Sequence, residues 1–184
     1  MTAGALTPTR AGDALPLEQY AAIGDGRSVA LVGADDSVDW WGVPAMGGTP
    51  FFDRLLPGPK GGRLSITPVD AFTVQRRYRL GSNVLEQVFT AAAGSARVTC
   101  SLNSGLSGRL PWSELAHRVE GLHGTVAYIV ELRPGRRLDQ ATPWREPVPG
   151  GLGADGAGGD GVLHLDGIVT TLRTSDGVEL SLEE

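Results

Sequence analysis

The sequence predicts an all-β fold, a two-sheet antiparallel β-sandwich with one short helix. Three observations point there. Glycine and proline, 27 and 12 residues, make up about a fifth of the 184, against roughly an eighth in average proteins, and both are poor residues for helix interiors. Apolar and polar residues alternate with period two in several short runs, clearest at Ala96, Val98, Cys100 and Leu102, at Val126, Tyr128, Val130 and Leu132, and at Val178, Leu180 and Leu182; that is the pattern of a half-buried strand. Turn clusters separate these runs at roughly 8–12-residue intervals, the spacing of sandwiches and barrels, and no helical segments alternate with them to build a parallel sheet.

The elements follow in order. Residues 1–17, rich in Thr, Ala, Gly and Pro, are expected to form a flexible tail, and 18–184 a single domain. Ser28–Val32 and Ser37–Trp41 flank the turn cluster Gly33–Asp36 and predict a hairpin. Pro50–Leu56 is the helical segment, with Pro50 near its start and Pro57 at its stop. Strands are predicted at Arg63–Thr67, Phe72–Arg79, Val84–Thr90, Ala96–Leu102, Leu115–Glu120, Thr125–Arg133, Val162–Asp166, Ile168–Thr174 and Val178–Leu182. Gly81–Asn83, Ala93–Ser95, Gly121–Gly124 and Ser175–Gly177 separate them. Residues 150–161 read GGLGADGAGGDG, seven of the twelve being glycine, a composition that predicts a flexible, disorder-prone loop.

Charge and composition narrow the function classes. A net charge of −5 and a pI near 5.2 give no electrostatic reason to seek nucleic acid or an anionic membrane. No run approaches the roughly 18 apolar residues of a membrane span, and Met1–Pro16 lacks the apolar core of a secretory signal. The single cysteine, Cys100, excludes an intrachain disulfide and suits a reducing compartment, so a cytoplasmic location is expected.

No catalytic residue is legible, and no metal or cofactor is expected. Gly24-Asp-Gly26 lacks the preceding strand, third glycine and following helix of a phosphate loop; a tight turn is the better reading. Gly150–Asp155 matches the start of one calcium-binding β-roll repeat, but a single copy cannot stack. His117, His123 and His164 have no Cys or carboxylate at ligand spacing. Cys100 lies on the apolar face of its strand, as an inert buried thiol would, and no base stands near it in the sequence. Asp35, Asp36 and Asp39 have the residue type of a glycosidic acid/base pair, yet Asp is also favoured in turns for its hydrogen bonds to backbone, and that reading is preferred. Trp40 and Trp41, adjacent in a strand, face opposite sides. Together with Phe51, Phe52, Trp112 and Trp144 they are the candidates for a ligand-stacking or interface surface, or for the core beneath it.

A longer pattern joins these fragments. Ile23-Gly-Asp-Gly-Arg-Ser-Val-Ala-Leu-Val-Gly33, then Asp36-Ser-Val-Asp-Trp40, the segment Pro50–Leu56 and Gly61-Gly-Arg-Leu64 occur in order. Arg76-Arg-Tyr78, Asn83-Val-Leu-Glu86, Phe89-Thr90, Arg97-Val-Thr99, Arg118-Val-Glu-Gly121 and Val130–Pro134 follow. This string resembles the opening of bacterial glycoside hydrolase family 15 proteins, the glucoamylase/trehalase-like group. Thr99 is followed by Cys100-Ser-Leu-Asn103, where that group commonly has Asp-Phe-Met-Pro. The resemblance implies a trehalase-like N-terminal, supersandwich-like β-domain. In that group it precedes an (α/α)6 barrel that carries both catalytic carboxylates. The expected role is thus a non-catalytic accessory domain that packs on such a barrel or self-associates as a homodimer. The alternatives are a stand-alone module binding a glucan or other small ligand, and a divergent enzyme with an unrecognised site.

Overall fold

The computed structural model describes residues 4–56, 61–103, 113–133, 135, 144–147, 161–165 and 168–172, the last three segments by their backbone. Two compact units are present, Met1–Arg137 and Leu138–Glu184, where the sequence reading has a single domain. The first contains β1 (Tyr20–Gly24), β2 (Val29–Gly33), β3 (Ser37–Gly42), β4 (Pro50–Phe52), β5 (Arg63–Pro68), β6 (Phe72–Tyr78), β7 (Leu85–Ala91), β8 (Gly94–Asn103), β9 (Glu114–Gly124) and β10 (Tyr128–Arg133). The second contains β11 (Trp144–Pro147), β12 (Gly161–Leu165) and β13 (Ile168–Leu172), an antiparallel sheet in that order. Among the described residues the only helical turn is a 3-10 turn at Leu17–Gln19, and no helix is long and apolar enough to cross a membrane.

In the first unit one sheet runs β1-β2-β3-β5-β10, with β4 also pairing β3, and a second runs β6-β7-β8-β9. Every pairing is antiparallel. The period-two sequence pattern explains the second sheet. Ala96, Val98, Cys100 and Leu102 of β8 are all buried while the residues between them are only half-buried. Ala34, Val74, Phe89 and Val98 form the core between the sheets, with Leu6, Phe72 and Tyr128 packed on it. The chain leaves the first sheet after β5 and returns at β10. Pro68 lies opposite Tyr128, and the Val69 amide donates to the Ala127 carbonyl at 2.9 Å.

Three expectations need correction. Pro50–Leu56 is not a helix: Pro50–Phe52 is a strand on β3, with Phe52 opposite Trp41, and a turn follows in which the Leu56 amide donates to the Asp53 carbonyl. Two turns of isolated helix do not repay nucleation, whereas a strand here buries both Phe51 and Phe52. Gly121–Gly124 does not end β9 but completes it; the chain turns at Gly124, whose φ is +61° and whose added Cβ would meet the Ala93 carbonyl at 2.1 Å. From Gly4 onward the expected tail is laid on the body. Leu6 exchanges both backbone hydrogen bonds with Val74 at 3.0 and 2.8 Å, and Leu15 is buried. Val178–Leu182 and, except for Gly161, the loop 150–161 lie outside the described residues.

Candidate functional site

The turn between β2 and β3 organises two polar clusters. Asp36 takes a left-handed backbone conformation, φ +60°, which an Asp tolerates better than most residues. As a result, consecutive carboxylates leave the turn in opposite directions. Asp35 goes to the outer side of the first sheet and Asp36 into the space between the sheets.

On the outer side Asp35 is gripped by Arg10, with Nε–Oδ2 at 2.7 Å and Nη2–Oδ1 at 3.1 Å, the fork geometry that suits guanidinium to carboxylate. Asp39 lies beside it at a β-bulge. Leu31 pairs with Trp40 and Val32 with Val38, so Asp39 is the extra residue. Its fully buried carboxylate accepts from the Tyr20 hydroxyl at 2.7 Å and from Ser37, and meets Arg10 Nη1 at 2.9 Å and Arg54 Nη1 at 3.8 Å. Burial and the hydrogen bond to Asp39 push the Tyr20 phenol up to about 12. Arg54 also reaches Asp13 at 3.3 Å. Farther along the face Arg63 of β5 holds Glu131 of β10 at 2.7 Å. Arg10, Asp35, Arg54, Arg63 and Glu131, with Thr67, Val69 and Ile129, line a cleft of about 280 Å³. Arg10 is paired with Asp35 and Arg63 with Glu131, while the partners of Arg54 are Asp13 and Asp39.

Between the sheets Asp36 accepts from Gln87 Nε2 at 2.6 Å, and its other oxygen lies 3.6 Å from His117 Nε2. The far nitrogen of that imidazole, Nδ1, is 3.9 Å from Cys100 Sγ. Gln87 on β7, Cys100 on β8 and His117 on β9 are brought together by the register, which sets Cys100 directly opposite His117. The spacing of Asp36 and His117 would admit an ion pair. Burial, however, pushes the Asp36 carboxyl well up and the His117 imidazole down to about 4. Both shifts run toward the uncharged forms. Burial and the nearby Asp36 push the Cys100 thiol up as well. The order Cys–His–Asp is that of a nucleophile, base and orienting acid, but each shift runs toward the uncharged form. Cys100 is fully buried, so neither a thiolate nor a path for substrate is provided. Among the described residues no group of three metal-ligating side chains converges.

The aromatic candidates divide. Trp41, Phe51 and Phe52 are buried in one cluster, with ring centroids 4.9–6.1 Å apart; they are core rather than platform. Trp40 is half-buried and pairs with Leu31. Trp144 stands in β11 opposite His164, and Trp112 lies outside the described residues. His123 is in β9. Asp35 keeps its turn role, accepting from the Ser37 amide at 3.3 Å, in addition to its ion pair. Sequence reasoning missed Arg10, Tyr20, Arg54, Arg63, Gln87 and Glu131 altogether. It found no base near Cys100 because His117 is 17 residues away; pairing the two alternating strands in register is the signal that would have found it.

Trehalase-like N-terminal domains have a family model, and it matches residues 9–104. The chain belongs to this family. No curated protein and no solved structure matches it. In this trehalase-like N-terminal chain the matched span contains Arg10, Asp35, Asp36, Asp39, Arg54, Gln87 and Cys100. It ends at β8, so His117 and Glu131 fall beyond it.

Proposed function

We propose that this domain is a non-catalytic accessory domain of a glucoamylase/trehalase-like protein of glycoside hydrolase family 15, docking on a catalytic (α/α)6 barrel through the outer face of its first sheet. The observation that carries the reading is the state of the Cys100–His117–Asp36 constellation. The arrangement closest to catalytic chemistry is buried, and each of its shifts runs toward the uncharged form. The outer face supplies the docking chemistry. Val69 and Ile129, 56% and 59% exposed, stand beside paired charges, the apolar centre and polar rim of a partner surface. A reducing compartment suits the lone buried cysteine, and the cytoplasm is the proposed location.

The test mixes the full chain with a separately produced family barrel and measures binding by calorimetry, then repeats it with Ile129→Glu and Val69→Glu. Binding weakened about tenfold or more by either change supports the reading. Binding that neither change weakens, or none at all, removes the docking face, and glucose release from maltose or trehalose by the chain alone removes the non-catalytic role.

A second reading rests on the cleft itself. Its three guanidinium and two carboxylate groups offer donors and acceptors to a small polyhydroxylated ligand. Calorimetry with maltose, trehalose and longer glucans decides it: heat abolished by Arg63→Ala supports a ligand site, and no heat sinks it.

A further inference from the structure

The four edges of the two sheets are treated unequally. Leu6 pairs with the free side of β6. The edge of β1 is met by side chains: Tyr78 Oη donates to the Ala22 carbonyl at 2.8 Å and accepts from the Ala22 amide at 3.0 Å, and Asn83 donates to the Gly24 carbonyl. At the opposite flank β9 and β10 each end their sheets, with no strand on their other side among the described residues. Val119 of β9 pairs with the fully buried Val98, yet remains 46% exposed. An unpaired edge beside exposed apolar side chains is a template for another strand.

The sequence of β9 says which strand fits. An antiparallel copy of β9 laid beside it with Val119 opposite Val119 sets Arg118 opposite Glu120 and Glu120 opposite Arg118. Arg118 and Glu120 are two residues apart and so lie on one face of the strand. Their side chains are 76% and 38% exposed, and within one chain they approach only to 3.8 Å. Arg97 of β8 donates to one oxygen of Glu120 at 3.4 Å, and the other oxygen faces Arg118. A slip of two residues either way sets Arg118 against Arg118 or Glu120 against Glu120, and like charges directly opposite are destabilising. The charge order therefore selects one two-fold register.

We propose that β9 is a self-pairing edge, through which two copies of this chain form an isologous dimer about Val119, joining their second sheets into one. The contact repeats the same patch on both partners, as a two-fold interface requires. It covers Val119 and gives each Arg118–Glu120 pair a partner across the axis. It uses a different surface from the docking face proposed above, so either can fail without the other.

The test is a charge exchange between partners, read by sedimentation equilibrium on the full chain. The wild type is expected to dimerise reversibly. Arg118→Glu and Glu120→Arg, each alone, place like charges opposite and are expected to weaken association about tenfold or more. The two variants mixed in equal amounts place Glu opposite Arg at every position and are expected to recover a dimer that neither forms alone. Thermal unfolding of each variant confirms that it folds, and Arg118→Gln, which removes charge without reversing it, is expected to fall between. A wild type that stays monomeric up to its highest soluble concentration overturns the proposal. So does a dimer that either reversal leaves unchanged, or a mixture that stays monomeric.

Discussion

Asp35 and Asp36 are neighbours in one turn, and their carboxyl groups are accommodated in two different ways. Asp35 lies in the grip of Arg10, at the edge of a cluster that also holds Asp39, Arg54 and Tyr20. Asp36 enters a space with no Lys or Arg beside it among the described residues; it lies between Gln87 and His117, and burial pushes its carboxyl well up, toward the neutral form. The difference teaches that burial cost is set by what the register places opposite. A charged group taken out of water needs a counter-ion with good geometry or must be neutralised, and this fold does both within one dipeptide.

The largest break in that comparison comes from Asp36→Ala. It leaves Gln87 Nε2 buried without its acceptor and puts alanine into a left-handed conformation; urea denaturation at pH 7 is expected to show a loss of about 3 kcal/mol. Arg10→Ala removes the counter-ion from Asp35 and Asp39 but leaves Tyr20 and Arg54 on Asp39, so the same measurement is expected to show about 2 kcal/mol.

The pH dependence sharpens the contrast. The folded chain holds a proton on Asp36 that the unfolded chain releases above 3.8, so the stability from this group is complete below that pH and is lost as pH rises toward the raised folded value. His117 acts oppositely: the unfolded chain takes up a proton below 6.5 that the folded chain takes up only near 4, so its stability contribution is lost as pH falls through that window. Between about 4 and 6.5 the two offset each other, and above 6.5 stability falls by up to about 1.4 kcal/mol per pH unit until Asp36 ionises. Asp36→Asn, neutral at every pH and tolerant of the same backbone, is expected to abolish that alkaline decline in denaturation midpoints measured from pH 6 to 9. Asp35→Asn is expected to leave it in place. The smallest effect belongs to the exposed end of the outer cluster: Glu131→Gln is expected to cost about 0.5 kcal/mol, less in high salt.

The two clusters also mark where the sequence is legible and where it is not. Strand positions followed from alternation because period two reports a face. Thus β8 extends by a residue or two beyond its expected ends, and the β2–β3 hairpin stands where Gly33–Asp36 predicts it. Strands β1, the short β4 and β11 went unseen. Tyr20–Gly24 shows no alternation of apolar and polar residues to mark it as a strand, and Pro50–Leu56 carries apolar residues at spacings that suit a helix as well as a strand. Of the site, the aspartates were visible as residues but not as partners. Arg10 lies 25 residues from Asp35, and Gln87 lies 51 from Asp36. Contacts at that range follow from strand order and from a bulge at Asp39, neither of which local spacing encodes. The aromatics were the opposite case, conspicuous in sequence and, at Trp41, Phe51 and Phe52, absorbed into the core.

The return of the chain at Tyr128 beside Pro68 has a consequence for how the molecule is made. The whole of the second sheet is an excursion between two residues that end up side by side. A chain synthesised from its N-terminus completes β6 to β9, each paired with its sequence neighbour, before β10 exists to close the edge of β5. The first sheet, begun earliest, is finished last, since β5 and β10 must meet across that excursion, and long-range pairing of this kind is slow. Pulse-labelling of amides during refolding is expected to protect β7 and β8 ahead of β5.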